Sequence, residues 1–281
     1  MQNYLKIWGC VGGVASVPLR DNVECIHGGN TPCVEVRHEG VSYIFDAGSG
    51  IVPCVRQAEK IGALFFSHFH LDPLQGLWVS NIILQPEKWG KVTFVSGRAE
   101  GYELEYALSN FMVRPLVPAA LEWERYKLNY KPLLCNIGNG MVFDIHGSSA
   151  RFINVIHGHT QSYSIRFTLP NRGKTIVYAT DVDAGASCEP LANLALDADV
   201  LIIDTQYTDE RYDSLPSPRP HSCPRVVAEV ARRANVKTVI TFHHGDSATV
   251  KKVKEICDDV ARLLPAGVTV ASAYDGMIIP L

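Results

Sequence analysis

The sequence contains no apolar run approaching the ~20 residues that span a bilayer, so no membrane partner is expected. Its opening, MQNYLKIWGCVGG, has neither a basic n-region nor a long apolar h-region, which argues against a signal peptide. It has no CxxC pair. The eight cysteines (Cys10, Cys25, Cys33, Cys54, Cys135, Cys188, Cys223 and Cys257) are scattered. They read as reduced, mostly buried thiols of a cytoplasmic protein. Charge of either sign is also missing in excess. The formal net charge is −3, so nothing points globally to nucleic acid or an anionic membrane. Low-complexity segments and clear linkers are absent. One domain over residues 1–281 is therefore expected, built from two pseudo-related halves, roughly 1–140 and 141–281.

What is present suffices for a sizeable core: 281 residues, 47% of them hydrophobic and 20% charged. In the first half, YLKIWGCVG reads as a strand. CVEVRHEGVSYIFDAG reads as two strands joined by a hairpin at Glu39-Gly40. IVPCVRQAEKIG has helical spacing and stops at Gly62, ALFFS is a short buried strand, and a helix over Pro73–Leu84 could follow. KVTFVSG is another strand, and AEGYELEYALSNFM is rich in helix formers. In the second half MVFDIH, RFINVIH, YSIRFTL and KTIVYATD are successive strands, with a turn at Asn171-Arg172-Gly173. Helices and strands then alternate to a final strand, VTVASAYDGMIIP, and Ser222 and Ser247 are candidate N-caps. Two mixed sheets packed face to face with helices outside satisfy this order.

The polar residues of interest end apolar strands. His68 and His70 follow ALFF, His157 and His159 follow RFINVI, Asp181 follows TIVYAT, Asp204 follows VLII, and His243 and His244 follow TVITF. Strand ends aim short loops from a rigid support. In an extended His68-x-His70-x-Asp72 segment, alternate side chains share a face. Two imidazoles and a carboxylate then converge on one or two cations, with donor chemistry that suits zinc, manganese or iron. The competing explanation is a polar turn after a strand.

Seven segments, in this order, resemble the metallo-β-lactamase superfamily, in particular its phosphodiesterase and ribonuclease Z-like branch. They are GGNTPCVEV, FDAGSG, SHFHLDPLQGL, VYATDVD, DTQYTDERY, PHS and TFHHGD. The resemblance implies an αββα four-layer sandwich of two mixed β-sheets flanked by helices. It implies a first metal, zinc, held by His68, His70 and a histidine of VIHGHT (His157, with His159 as the alternative). Asp181 would bridge two metals, and Asp72 and His243 would bind the second. His221 would face the scissile phosphate and assist proton transfer, with Asp204 beside it. Asp46 would orient ligands from behind through hydrogen bonds. His27 and His244 are further candidates near the cleft, and a homodimer is implied as the assembly.

The pattern departs from the family at one position. Relatives carry a histidine directly after the aspartate, and this chain has Pro73, whose side chain offers no donor atom. The second site would lose one nitrogen ligand. Water, His27, His159 or His244 could take its place. The site could instead be weakened and hold Zn²⁺, Mn²⁺ or Fe²⁺, or be empty, leaving Asp72 as a general base. The expected function is a metal-dependent hydrolase of a cyclic nucleotide or other small phosphodiester, acting through metal-activated water. Long nucleic acid is not expected, because the sequence shows no Gly/Pro- and Lys-rich arm. The alternatives are a non-catalytic or sensor-type degenerate member, and a thiolesterase or lactonase whose substrate is chosen by the Trp78–Trp89 and Tyr102–Tyr130 regions.

Overall fold

The computed structural model describes residues 3–15, 27–89, 92–97, 102–113, 117, 129–133, 140–171, 173–245 and 248–281. Among them are two seven-stranded sheets. The first runs, in spatial order, β14 (Ile278–Pro280), β1 (Tyr4–Gly9), β2 (Cys33–His38), β3 (Val41–Phe45), β4 (Lys60–Phe66), β5 (Thr93–Gly97) and β6 (Asn129–Leu133). The second runs β13 (Thr269–Ser272), β12 (Thr238–Phe242), β11 (Val200–Asp204), β10 (Thr175–Ala179), β9 (Thr160–Thr168), β8 (Ser148–His157) and β7 (Val142–Ile145). Each sheet is antiparallel on one side and parallel on the other: β3 to β6 in the first, β10 to β13 in the second.

The central parallel strands β4, β10, β11 and β12 are apolar on both faces, as strands covered on two sides must be. Period-two alternation divides their side chains between layers. Tyr43, Phe45, Phe65, Tyr178, Ile202, Ile240 and Phe242 point into the core between the sheets. Ile44, Leu64 and Phe66 point the other way, onto α1 (Ile51–Gln57), α2 (Asn81–Leu84) and α4 (Leu104–Phe111). Val177, Ala179, Leu201, Ile203 and Val239 meet α5 (Cys188–Leu194), α7 (Pro224–Arg233) and α8 (Val250–Leu263). Two short helices, α3 (Pro86–Trp89) and α6 (Asp209–Ser214), complete the helices among the described residues. The αββα sandwich expected from the sequence is the fold observed.

Several local expectations are corrected. The helix predicted to stop at Gly62 ends at Gln57, and Lys60–Phe66 is already β4. The buried run Ile61–Phe66 extends that strand backwards. Gly62 lies where a Cβ would come within 2.8 Å of the Tyr43 ring, so it serves a close approach rather than a helix stop. In place of one helix over Pro73–Leu84 the chain makes turns, a 3-10 turn at Leu77–Val79, and α2. VTVASAYDGMIIP is two strands, β13 in one sheet and β14 in the other, because the chain turns at Tyr274–Gly276. Ser222 is not an N-cap. Its hydroxyl donates to the Val182 carbonyl and accepts from Ala184 N–H, and α7 starts after Cys223. Ser247 and Arg172 lie outside the described residues, and Thr249 caps α8 through Lys252 N–H. Cys33, Cys54 and Cys223 are buried, as expected, while Cys25 and Cys135 lie outside the described residues.

Phe167 of β9 joins the two sheets, with ring centroids 4.9 Å from Tyr43, 5.6 Å from Phe45 and 5.7 Å from Phe65. Phe167→Ala should cost about 3–5 kcal/mol in equilibrium denaturant unfolding. A loss under about 1 kcal/mol would contradict this packing.

Candidate functional site

The C-terminal ends of β3, β4, β10, β11 and β12, with the end of β8, converge at one edge of the sandwich. Between them lies a cavity of 270 Å³. Its lining includes His70, Asp72, His157, Asp181, His221 and His243, together with Gly12, Gly13, Gln206 and Gly245. The backbone is bent hard where three of these strands end. Asp46, Asp181 and His243 have φ of 59°, 51° and 60°. A residue other than glycine held there costs on the order of 1–3 kcal/mol, and such residues cluster at functional sites.

Two groups of donors form. His68, His70 and His157 bring one ligand atom each within 4.8 Å of one another. Asp181, Asp204, His221 and His243 do the same. Asp181 connects them. Its Oδ1 lies 3.9 Å from His68 Nε2 and 3.5 Å from His157 Nε2, and its Oδ2 lies 3.1 Å from His243 Nε2. Asp72 Oδ2 is also 3.1 Å from His243 Nε2.

Most of the imidazoles are aimed by a bond at the far nitrogen. His157 Nδ1 donates to the Pro220 carbonyl at 2.5 Å. A carbonyl can only accept, so Nδ1 carries the proton and Nε2 faces Asp181 bare. Ser67 receives His68 Nδ1 at 2.9 Å and donates its own hydroxyl to Asp46 at 2.8 Å. Asp46 accepts in addition from Ser67 N–H and Tyr178 O–H. His243 Nδ1 donates to Gln206 Oε1 at 3.0 Å, and His221 Nδ1 to Asp204 Oδ2 at 2.7 Å.

This arrangement fits a metal. His68 Nε2 is buried without any hydrogen-bond partner. Two donors on one tetrahedral zinc stand ~3.3 Å apart, given Zn–N and Zn–O bonds of ~2.0–2.1 Å, which is close to the 3.5 and 3.9 Å between Asp181 and the two histidines. Burial holds His68 neutral down to about 3 and also lowers His157. His243 behaves in the opposite way. Burial disfavours its charge, but Asp181, Asp72 and Asp204 outweigh burial and raise it to about 10. Against the cost of burial, the charge on His243 in turn holds Asp181 well below the usual carboxylate range. Burial raises Asp46 to about 7 despite its hydrogen bonds.

The alternates fall elsewhere. His159 is exposed in the turn between β8 and β9. His244 is buried, bonds the Ala273 carbonyl and packs on His27, with ring centroids 5.0 Å apart. None of the three lines the cavity. His157 is therefore the VIHGHT histidine that the fold brings to His68 and His70, because it ends β8 facing inward. Pro73 is buried, and its carbonyl accepts from Ala47 N–H. Trp78 and Trp89 do not line the cavity. They pack with the helices on the outer face of the first sheet. Residues 114–116 and 118–128 lie outside the described residues, and no described residue of the 102–130 region lines the cavity.

Sequence reasoning missed Ser67, Gln206 and the Gly12–Gly13 pair. Gly13 N–H donates to Asp72 at 3.3 Å, and a Cβ on Gly12 would come within 2.3 Å of the His243 ring. The doubled glycine in GCVGG was the available signal, because glycine marks close backbone approach.

A family model described as a β-lactamase superfamily domain matches residues 44–244. The chain belongs to the β-lactamase superfamily. Ribonuclease Z from Mycobacterium tuberculosis is 24% identical over 232 residues, covering 76% of this chain and 78% of its own length. Among solved structures, the metallo-β-lactamase fold protein YhfI from Bacillus subtilis superposes with a TM-score of 0.69 at 15% identity, covering 99% of both chains. A diphosphatase of the PhnP family superposes with a TM-score of 0.67 at 19% identity, covering 100% of this chain and 98% of its own. The resemblance to the ribonuclease Z-like branch is borne out in these relatives. With this family and these donors, the superfamily member is a metal-dependent hydrolase.

Cation uptake must displace the proton on His243, because a ligating imidazole is neutral. At pH 7.5, below about 10, that proton is present. Calorimetry in buffers of different ionisation enthalpy should record release of about one proton when the second cation binds. No release would contradict the pairing of His243 with Asp72 and Asp181.

Proposed function

We propose that the protein hydrolyses a small phosphodiester, such as a cyclic nucleotide. The observation that carries this reading is convergence at one cavity: His70, His157 and Asp181 line it together with His221, whose Nδ1 is bonded to Asp204. Divalent cations bound there supply Lewis acidity and lower the pKa of water to near neutrality. His68, His70, His157 and Asp181 form the tight set, with the N- and O-donor chemistry of zinc. Asp72, Asp181 and His243 form a second set, short of one nitrogen at Pro73. Carboxylates make up more of that set, which favours Mn²⁺ or Fe²⁺ alongside Zn²⁺.

The chain's own residues do the rest. His221 lines the cavity with its Nδ1–H bonded to Asp204. As an imidazolium, with Nδ1–H bonded to Asp204, it presents Nε2–H to the departing oxygen; after giving up that proton it is left as the neutral Nδ1–H imidazole that Asp204 orients. Asp181 bridges the two donor groups. Among the described residues no lysine or arginine lines the cavity, which favours a small diester over a long polyanion. That one relative is a ribonuclease Z and one structural neighbour a diphosphatase supports phosphoester chemistry over acyl chemistry. The protein would act in the cytoplasm, as one domain and as a homodimer.

Bis-p-nitrophenyl phosphate with added zinc or manganese should be turned over, and a p-nitrophenyl thioester should not. His68→Ala should abolish the activity. His221→Ala should lower kcat about 10²–10⁴-fold with metal content unchanged. Thioester cleavage without diester cleavage would overturn the substrate class. Pro73→His should tighten the second cation at least about tenfold by competition with a chelator. Equal affinity would show that Pro73 costs the site nothing.

A further inference from the structure

Asp183 sits two residues beyond Asp181, fully buried, outside the cavity lining. Among the described residues no cationic side chain pairs with it. Its Oδ1 accepts from Tyr212 O–H at 2.5 Å, Gly185 N–H at 3.0 Å and Ala186 N–H at 3.2 Å. Its Oδ2 accepts from Arg219 N–H at 3.0 Å. Four donors on one buried carboxylate are a strong local constraint. The Arg219 side chain adds to it, donating Nε–H to the Tyr212 carbonyl at 2.6 Å with its guanidinium 4.1 Å over the Tyr212 ring.

The loop pinned there is the one that serves the site from behind. The Arg219 carbonyl accepts from Gly158 N–H at 2.8 Å, and the next carbonyl, Pro220, takes the His157 Nδ1 proton. The next side chain is His221. On the other flank of His157, Asp183 N–H donates to the Ile156 carbonyl at 2.8 Å. Asp183 thus brackets His157 through two routes and fixes the start of the segment that delivers His221.

We propose that Asp183 is a positioning residue that sets, through the Arg219–Pro220–His221 segment, both the His157 imidazole and the His221 imidazole. It touches no reacting atom. One carboxylate places a donor of the tight cation set and the proton-transfer group in register, so the two cannot shift independently. The proposal rests on the roles given above to His157 and His221.

Asp183→Asn keeps the shape but has one acceptor oxygen where the carboxylate has two, so its amide must face one of the four N–H or O–H donors. The test uses the full chain and two readouts. In chelator-treated protein, the His157 Nδ1–H should give a slowly exchanging, downfield proton resonance, assigned by its absence from His157→Gln. In zinc-loaded protein, affinity is measured by competition with a chromophoric chelator. Asp183→Asn should lose or shift the resonance and bind zinc about 10–100-fold more weakly. Tyr212→Phe, which removes one of the four donors, should move both readouts in the same direction by less. Val230→Ala truncates the fully buried core side of α7 and controls for general destabilisation. It should change neither readout at a matched loss of melting temperature. An unchanged resonance and zinc affinity in a folded Asp183→Asn would overturn the proposal. If wild-type protein binds no zinc while the resonance still depends on Asp183, the metal assignment fails and the positioning role stands.

Discussion

The Asp181 carboxylate is buried beneath imidazole nitrogens that are bare on the side facing it. His157 and His68 spend their Nδ1 sides on Pro220 and Ser67, so their Nε2 lone pairs point inward. Lone pairs and anionic oxygens do not stabilise one another in a low-dielectric interior. Without metal, relief comes from the proton on His243, shared between Asp72 and Asp181, and from the Thr180 hydroxyl, which donates to Asp181 Oδ2. The donor set is therefore built for positive charge, and a proton fills that requirement only on one side of the site. The orphaned His68 Nε2 on the other side is the cost left over.

The rest of the fold can be understood as support for that concentration of donors. A parallel strand buried on both faces is rigid, and its carboxyl end can hold a side chain in an unfavourable backbone conformation. Asp46, Asp181 and His243 are so held. The inner core of aromatic side chains fixes the distance between sheets, so donors from β4 and donors from β8, β10 and β12 meet across it. Behind the donors stands a layer of carboxylates with separate tasks. Asp46 backs His68 through Ser67, Asp204 backs His221, and Asp183 holds the loop that supplies Pro220.

Much of this was legible in the sequence, for identifiable reasons. Apolar runs ending in His or Asp mark buried strands that deliver polar groups, and those at 68, 157, 181, 204 and 243 all meet at one edge. What stayed hidden depended on tertiary context. The ambiguity between His157 and His159 was decided by which residue is still on the strand and which is in the turn. Adjacent His243 and His244 point apart, one into the cavity and one to Ala273, as neighbours at a strand end do. Helix periodicity misled at residues 58–62, where burial on both sides of β4 overrode it. Gln206, Ser67 and the Pro220 carbonyl act through tertiary hydrogen bonds that no spacing encodes.

His68, His70 and His157, with Asp181, are read as a cation site whose neighbouring set, Asp72, Asp181 and His243, is the weaker because of Pro73. Anomalous diffraction from crystals grown with limiting zinc tests it most directly. A strong peak is expected within coordination distance of all four donors of the first set, with little or no signal beside Pro73. Peaks of equal height at both positions, or no peak at His68 Nε2, would contradict it.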